Sequence, residues 1–210
     1  MKEYHKIETL FERDPGTKKL VVGKFRNETV ESLKDINWEF SEKVDGTNIR
    51  IHWDGHEVSI GGRTDKAQIP TNLLGKLTKL FLGEANAQLF EQKFGEAEVT
   101  LIGEGYGAGI QKGGNYKNEQ DFILFDVRIG EIWLKREDVE EIANYFGIDV
   151  VPIVLTGTID QAVEYVRSNP KSVVAQNGAD MEGVVGRPKL ELRDRLGRRI
   201  IVKIKWEDFK

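Results

Sequence analysis

Lys43-Val44-Asp45-Gly46-Thr47-Asn48 is followed at once by Ile49-Arg50-Ile51-His52-Trp53. A lysine stands two residues before an Asp-Gly turn, and the run beyond the turn alternates apolar with polar, the period of a strand with one buried face. This spacing suits a lysine leaving one strand and a tight turn leading into the next, with the amine held at the lip of a cleft. The string is short, and a solvated lysine beside a hairpin turn gives the same pattern. Its meaning depends on the rest of the chain.

Outward from this stretch, short runs rich in Val, Ile, Phe or Trp predict strands at 37–44, 48–53, 57–61, 99–103, 122–129, 183–186 and 199–205. Helices are predicted over 72–94, 135–146 and 159–168. In the first, Leu73, Leu74, Leu77, Leu80 and Phe81 recur at helical spacing as a core face, while Gly75 and Gly83 weaken the helix and can split it. The third opens on Thr158 as N-cap and stops before Asn169-Pro170. The pattern is α+β, without repeats, low-complexity tracts or an evident linker, and antiparallel sheets with helices on their outer faces fit it.

The 210 residues match one domain, and 39% hydrophobic with 31% charged residues describe a globular chain. No stretch has the apolar length of a membrane span or the pattern of a signal peptide, so no membrane partner and a cytoplasmic location are expected. The absence of cysteine excludes disulfides, thiolate catalysis and cysteine zinc sites. His5, His52 and His56 lack metal-ligand spacing with one another. The net charge of −4 does not advertise nucleic-acid binding, yet between Arg187 and Lys205 eight basic residues face two acidic ones. That stretch is either a solvated hairpin or a strip that meets phosphates.

Further blocks follow the lysine in order: Gly61-Gly62-Arg63-Thr64, Leu101-Ile102-Gly103-Glu104-Gly105-Tyr106-Gly107, Phe122-Ile123-Leu124-Phe125-Asp126-Val127, Met181-Glu182-Gly183-Val184-Val185 and Val202-Lys203-Ile204-Lys205. Together with the lysine block they resemble the motifs of the covalent nucleotidyltransferases, the ATP-dependent DNA and RNA ligases and mRNA capping enzymes. The Lys-x-x-Gly-Thr-Asn form and the glycine-rich run at 103–116 are most similar to the RNA ligase 2-like branch, although Asp45 is the residue commoner in DNA ligases. The same glycines are not a P-loop, because no Gly-Lys-Ser/Thr end follows.

The resemblance implies the nucleotidyltransferase (ATP-grasp-like) fold, two antiparallel sheets flanked by helices with ATP in a cleft between them. It implies a single adenylylation domain over residues 1–210 with no C-terminal accessory domain, since only five residues follow Lys205. The implied activity is ATP-dependent joining of a 3′-hydroxyl to a 5′-phosphate on RNA ends or nicked duplex, through lysyl-AMP and an adenylylated 5′ end. A DNA ligase core, a capping guanylyltransferase and a non-catalytic nucleic-acid-binding remnant are the alternatives. Oligomeric state has no sequence signal.

The resemblance also implies roles for single residues. Lys43 is the nucleophile; a free lysine amine, with a pKa of about 10.4, is protonated at neutral pH, and desolvation with nearby cations such as Lys203 and Lys205 would lower it. Those two lysines, two apart on a strand, point to one face and reach the α-phosphate together. Glu182 leads the candidates for holding Mg²⁺ or Mn²⁺, with Asp126 and Glu104 next, since carboxylate oxygens suit these ions. Glu104 is expected to hold the ribose hydroxyls and Phe125 to stack on adenine, although strand alternation predicts a core Phe equally well. Arg63 is expected on phosphates, where a planar fork suits the task. Asp126 alternatively positions Arg63 or Lys203. Asn48 orients the substrate during sealing, and Glu42, next to the nucleophile, joins the nucleotide-binding set.

Overall fold

The computed structural model describes residues 1–112 and 116–210, so Gly113 to Asn115 of the glycine-rich run lie outside the described residues. The chain forms two compact units, Met1–Tyr4 with Asp45–Val150, and His5–Val44 with Val151–Lys210. The first part of the chain carries β1 (Glu8–Thr9), β2 (Phe11–Arg13), β3 (Leu20–Phe25), α1 (Glu28–Ser32), β4 (Trp38–Glu42), β5 (Thr47–Trp53) and β6 (Val58–Gly62). Two helices follow, α2 (Thr71–Phe81) and α3 (Glu84–Phe94), then β7 (Val99–Tyr106), β8 (Asp121–Ile129), β9 (Ile132–Trp133) and α4 (Arg136–Phe146). The chain ends with β10 (Asp149–Val150), β11 (Ile153–Gly157), α5 (Ile159–Arg167), β12 (Gly183–Pro188), β13 (Val202–Lys205) and a 3-10 turn (Trp206–Phe209).

The unit of Asp45–Val150 is built on a sheet ordered β10-β8-β7-β5-β6, with β9 beside β8. Its core face carries Ile49, Ile51 and Trp53 of β5, Val99 and Leu101 of β7, and Phe122, Leu124 and Val127 of β8. Leu73, Leu77 and Phe81 of α2, spaced four apart, are fully buried in the same core, each worth about 1.5–3 kcal/mol relative to exposure. The single helix expected over 72–94 is two helices. Gly83 breaks it with φ +97, a conformation costly for other residues, whereas Gly75 stays within α2.

In this sheet Leu124 pairs with Gly103 but Asp126 pairs with Ile102, leaving Phe125 as the extra residue of a β-bulge. The bulge shifts the phase of β8, so Leu124 and Val127 both reach the core and Asp126 does not. The face away from the core therefore carries Asn48 and Arg50 from β5, Glu104 from β7 and Asp126 from β8.

The unit of Val151–Lys210 is built on a sheet ordered β1-β13-β12-β4-β11, with β2 and β3 as a separate pair. Trp38 and Phe40 of β4, Val184 of β12, and Val202 and Ile204 of β13 pack on Ile159, Ala162, Val163 and Val166 of α5. Thr158 caps that helix as the sequence predicts, with Gln161 completing a capping box worth about 1 kcal/mol. On β13, Lys203 and Lys205 fall on the face opposite this core.

Both sheets are antiparallel except at one edge strand each. β1 lies parallel to β13 and β10 parallel to β8. β10 reaches its place through α4, and β1 is separated from β13 by most of the chain, so neither direction is set by a hairpin.

Candidate functional site

Each unit carries one group of the predicted residues. In the unit of Val151–Lys210, Lys43 leaves the end of β4, where its backbone N–H donates to the carbonyl of Gly183 at 2.9 Å. Its Nζ lies 2.5 Å from Oε2 of Glu182, and the other oxygen of that carboxylate takes Lys205 Nζ at 2.8 Å. Lys205 also reaches Glu207 at 2.7 Å. Burial disfavours the Lys205 ammonium, but its bonds to Glu182 and Glu207 outweigh this and hold its pKa above the ordinary value.

Lys203 differs from its neighbour on β13. Burial pushes its pKa down, and the charges of Lys43, Lys205 and Lys6 push it further against the opposing pull of Glu182. Among the described residues it has no ion-pair partner, so Lys43, Lys203, Lys205 and Glu182 form a half-buried cluster with an excess of positive charge. Such a cluster attracts an anion as compact and highly charged as a polyphosphate.

Glu42 is placed differently from Lys43, one residue on. It is 2% exposed, and its carboxylate accepts from the hydroxyl of Ser172 and from the backbone N–H groups of Val173 at 2.8 Å and Val174 at 3.2 Å. Burial raises its pKa, opposed by these bonds.

In the other unit, Asn48 of β5 lies directly across from Glu104 of β7. The Oδ1 of Asn48 is buried and finds no donor among the described residues, an orphan acceptor of the kind a ligand satisfies. Gly46 brings the turn against β7 so closely that a Cβ there would meet the carbonyl oxygen of Gly105 at 2.2 Å. Phe125, the bulge residue, stays outside the hydrophobic core and meets Tyr4 edge-on at 5.4 Å. Asp126 is buried, and Tyr4 donates its hydroxyl to Oδ2 at 3.0 Å. Arg63 is exposed just past β6.

Sequence reasoning missed Tyr4, Arg50 and Ser172. Arg50 is fully buried and donates to the carbonyls of Gly62 at 2.6 Å, Met1 at 3.1 Å and Lys2 at 2.8 Å, and to Asp65 at 3.1 Å. Alternation puts it on the polar face of β5 and gives no sign that this face is buried. Tyr4 and Ser172 carry no pattern that points to partners more than a hundred residues away.

The basic stretch of 187–205 is not a uniform strip. Arg199 forms a two-pronged pair with Glu191 at 2.6 and 3.0 Å, and Arg198 is tied to Asp194 at 2.7 Å. Lys189 and Arg195 are exposed. Among the described residues no helix is long and apolar enough to cross a membrane, and no group of three or more His, Cys, Asp or Glu is gathered as a metal cluster.

The fold is that of RNA ligases of known structure. A mutant of Naegleria gruberi RNA ligase with AMP and Mn superposes with a TM-score of 0.65 at 20% identity, covering 97% of this chain and 60% of that one. An apo mutant of RNA ligase from the same organism gives 0.63 at 21% identity over 87% of this chain and 53% of that one. A third mutant, with ATP and Mn, gives 0.63 at 19% identity over 97% and 59%. The chain thus spans 53% to 60% of the length of these proteins. No curated protein matches it. The RNA ligase family model matches residues 36–205, and the chain belongs to the RNA ligase family.

Proposed function

We propose that this chain is an ATP-dependent RNA ligase with a nucleotidyltransferase type of fold, using Lys43 as its nucleophile. The observation that carries the reading is Glu182 holding Lys43 and Lys205 on its two oxygens, with Lys203 on the same strand as Lys205, in a chain of this family. In the first step the Lys43 amine, having lost a proton, forms an N–P bond to the α-phosphorus of ATP. The bond to the bridging oxygen breaks, and its electron pair leaves with pyrophosphate. Lys203 and Lys205 neutralise phosphate charge as it shifts, which is the larger part of catalysis in phosphoryl transfer. AMP then passes to the 5′-phosphate of an RNA end or nick, and a 3′-hydroxyl displaces it.

Both oxygens of Glu182 are engaged by Lys43 and Lys205, and the described residues gather no carboxylate cluster, so a Mg²⁺ or Mn²⁺ ion fits here in company with the triphosphate, keeping most of its waters as Mg²⁺ prefers. Glu182 would hold it, with Asp126 and Glu104 as further candidates, and the ion would supply charge neutralisation at the phosphate oxygens. Glu104 and Asn48, opposite each other on one face, fit ribose hydroxyls, and the orphan Oδ1 of Asn48 needs a donor. Phe125, outside the core, fits adenine stacking, and exposed Arg63 fits phosphates.

The test is covalent labelling. Protein mixed with Mn²⁺ or Mg²⁺ and ATP labelled on the α-phosphate should form an acid-labile, alkali-stable adduct that Lys43→Ala abolishes. A label surviving in Lys43→Ala refutes the nucleophile, transfer from GTP in place of ATP points to capping, and sealing only of all-DNA nicks points to a DNA ligase.

A further inference from the structure

Glu42 sits beside the nucleophile, yet protein groups take up both of its carboxylate oxygens. Ser172 donates to Oε1, and the N–H groups of Val173 and Val174 donate to Oε2. The Ser172 hydroxyl in turn accepts from the N–H of Ala175 at 2.9 Å. These residues belong to a loop, 170–181, closed by its own cross-links. The N–H of Ser172 donates to Ala179 at 2.9 Å, that of Met181 donates to Pro170 at 2.9 Å, and Lys171 pairs with Asp180 at 2.6 Å. The far end of the loop runs directly into Glu182, whose carbonyl accepts from Trp206 at 3.1 Å, and then into Gly183, whose carbonyl accepts from Lys43.

Thus one end of a stapled loop is fastened to Glu42 and the other end delivers the carboxylate that touches Lys43. We propose that Glu42 and Ser172 form a clamp that sets the position of Glu182 relative to Lys43, acting as positioning residues and not as nucleotide ligands. A buried carboxylate with three donors is costly to disturb, since removing the Ser172 hydroxyl takes away the donor on Oε1. Rigid support of this kind matters because a misplacement of about 1 Å at a reacting group can cost on the order of 100-fold in rate. The inference rests on the ligase reading for its kinetic consequence, while the clamp itself is open to a physical test.

The experiment compares wild type with Ser172→Ala, Ser172→Thr, Glu42→Gln and the Ser172→Ala/Glu42→Gln double variant. Single-turnover adenylylation is followed against ATP and Mn²⁺ concentration, with hydrogen exchange of the 170–183 segment measured in parallel. Ser172→Ala is expected to slow maximal labelling by about tenfold, the effect of losing one hydrogen bond to a charged group. The KM for ATP should stay within about twofold, with the half-saturating Mn²⁺ concentration raised, because uniform substrate binding is untouched. Ser172→Thr should retain most of the rate, and the double variant should be no slower than its slower parent, as expected of coupled residues. A raised KM for ATP in Glu42→Gln at unchanged maximal rate makes Glu42 a nucleotide ligand and overturns the clamp, as do additive losses. If wild type takes no label from ATP, the ligase reading fails on its own. The clamp is then judged by exchange alone: faster exchange from Val173 to Gly183 in Ser172→Ala and Glu42→Gln supports it, and unchanged exchange refutes it.

Discussion

Alanine at position 46 tests how tightly the turn after Lys43 is pressed against its sheet. The backbone of Gly46 is not in the left-handed region, so the obstacle to a side chain is space alone. A Cβ there would lie 2.2 Å from the carbonyl oxygen of Gly105, 2.9 Å from Cγ of Glu104 and 3.1 Å from the carbonyl carbon of Gly105. Ordinary contact needs about 3.5 Å, so the turn and β7 must part by about 1 Å, and two of the three obstructing atoms are backbone. Overpacking of this kind costs about 1–3 kcal/mol, a fall in Tm of about 3–10 °C for a chain of this size. The displacement moves Asn48 and Glu104, so Gly46→Ala should slow lysine adenylylation by on the order of 100-fold while the protein stays folded. Gly75→Ala is the control: nothing lies within 4 Å of its Cβ, and α2 should gain about 0.5–1 kcal/mol with labelling unchanged. Circular dichroism melts and single-turnover labelling of the two variants decide the matter. Labelling by Gly46→Ala within twofold of wild type would refute the packing argument.

Glu182→Ala and Lys205→Ala should each reduce adenylylation by at least about tenfold, since one strong transition-state contact is worth a few kcal/mol, and near-normal labelling in both would return them to ordinary surface charge. Phe125→Leu should raise the KM for ATP more than Phe125→Tyr does, and equal effects would remove the stacking role. Burial works against ionised Asp121, but hydrogen bonds from Lys117 and Lys76 outweigh it and hold its pKa below the ordinary value. Its contribution to stability is therefore fully present above the ordinary value and lost as pH falls through the lowered one, so Asp121→Asn should flatten the acid limb of a Tm profile below about pH 5. Replacing exposed Lys189 and Arg195 by alanine should weaken binding to nicked duplex and lower its salt slope, each lost phosphate contact removing about one unit, whereas Arg199→Ala should instead lower Tm because Glu191 loses its partner.

Most central strands were legible because one buried face imposes alternation. Ile49, Ile51 and Trp53 reach the core as the period of two requires. The break at Gly83 was legible for a backbone reason, whereas the helix boundary itself depended on a positive φ that no pattern fixes. The short strands β1, β2, β3, β9, β10 and β11 and the short helix α1 escaped notice. β3 is exposed along most of its length, so Leu20-Val21-Val22 reads as an isolated apolar run, and Pro152 interrupts the apolar residues leading into β11. Single motif residues could be named from their resemblance, but the partners that hold them could not. Tyr4 meets Asp126 and Ser172 meets Glu42 across 122 and 130 positions, and such contacts arise from the folded chain alone.

The bulge in β8 has a consequence for deletion. Counting along the ladder, Leu124 faces Gly103, Asp126 faces Ile102 and Val127 faces Leu101, so Phe125 is the only residue of the stretch without an opposite number. Removing it would join Leu124 to Asp126 and leave every neighbour on its present side, Val127 inward and Asp126 outward. Loss of one residue inside a strand ordinarily turns the rest of that strand over. Here it would only straighten the ladder, which makes Phe125 dispensable to the sheet and leaves whatever it contacts beyond the core as the reason for its place in the chain.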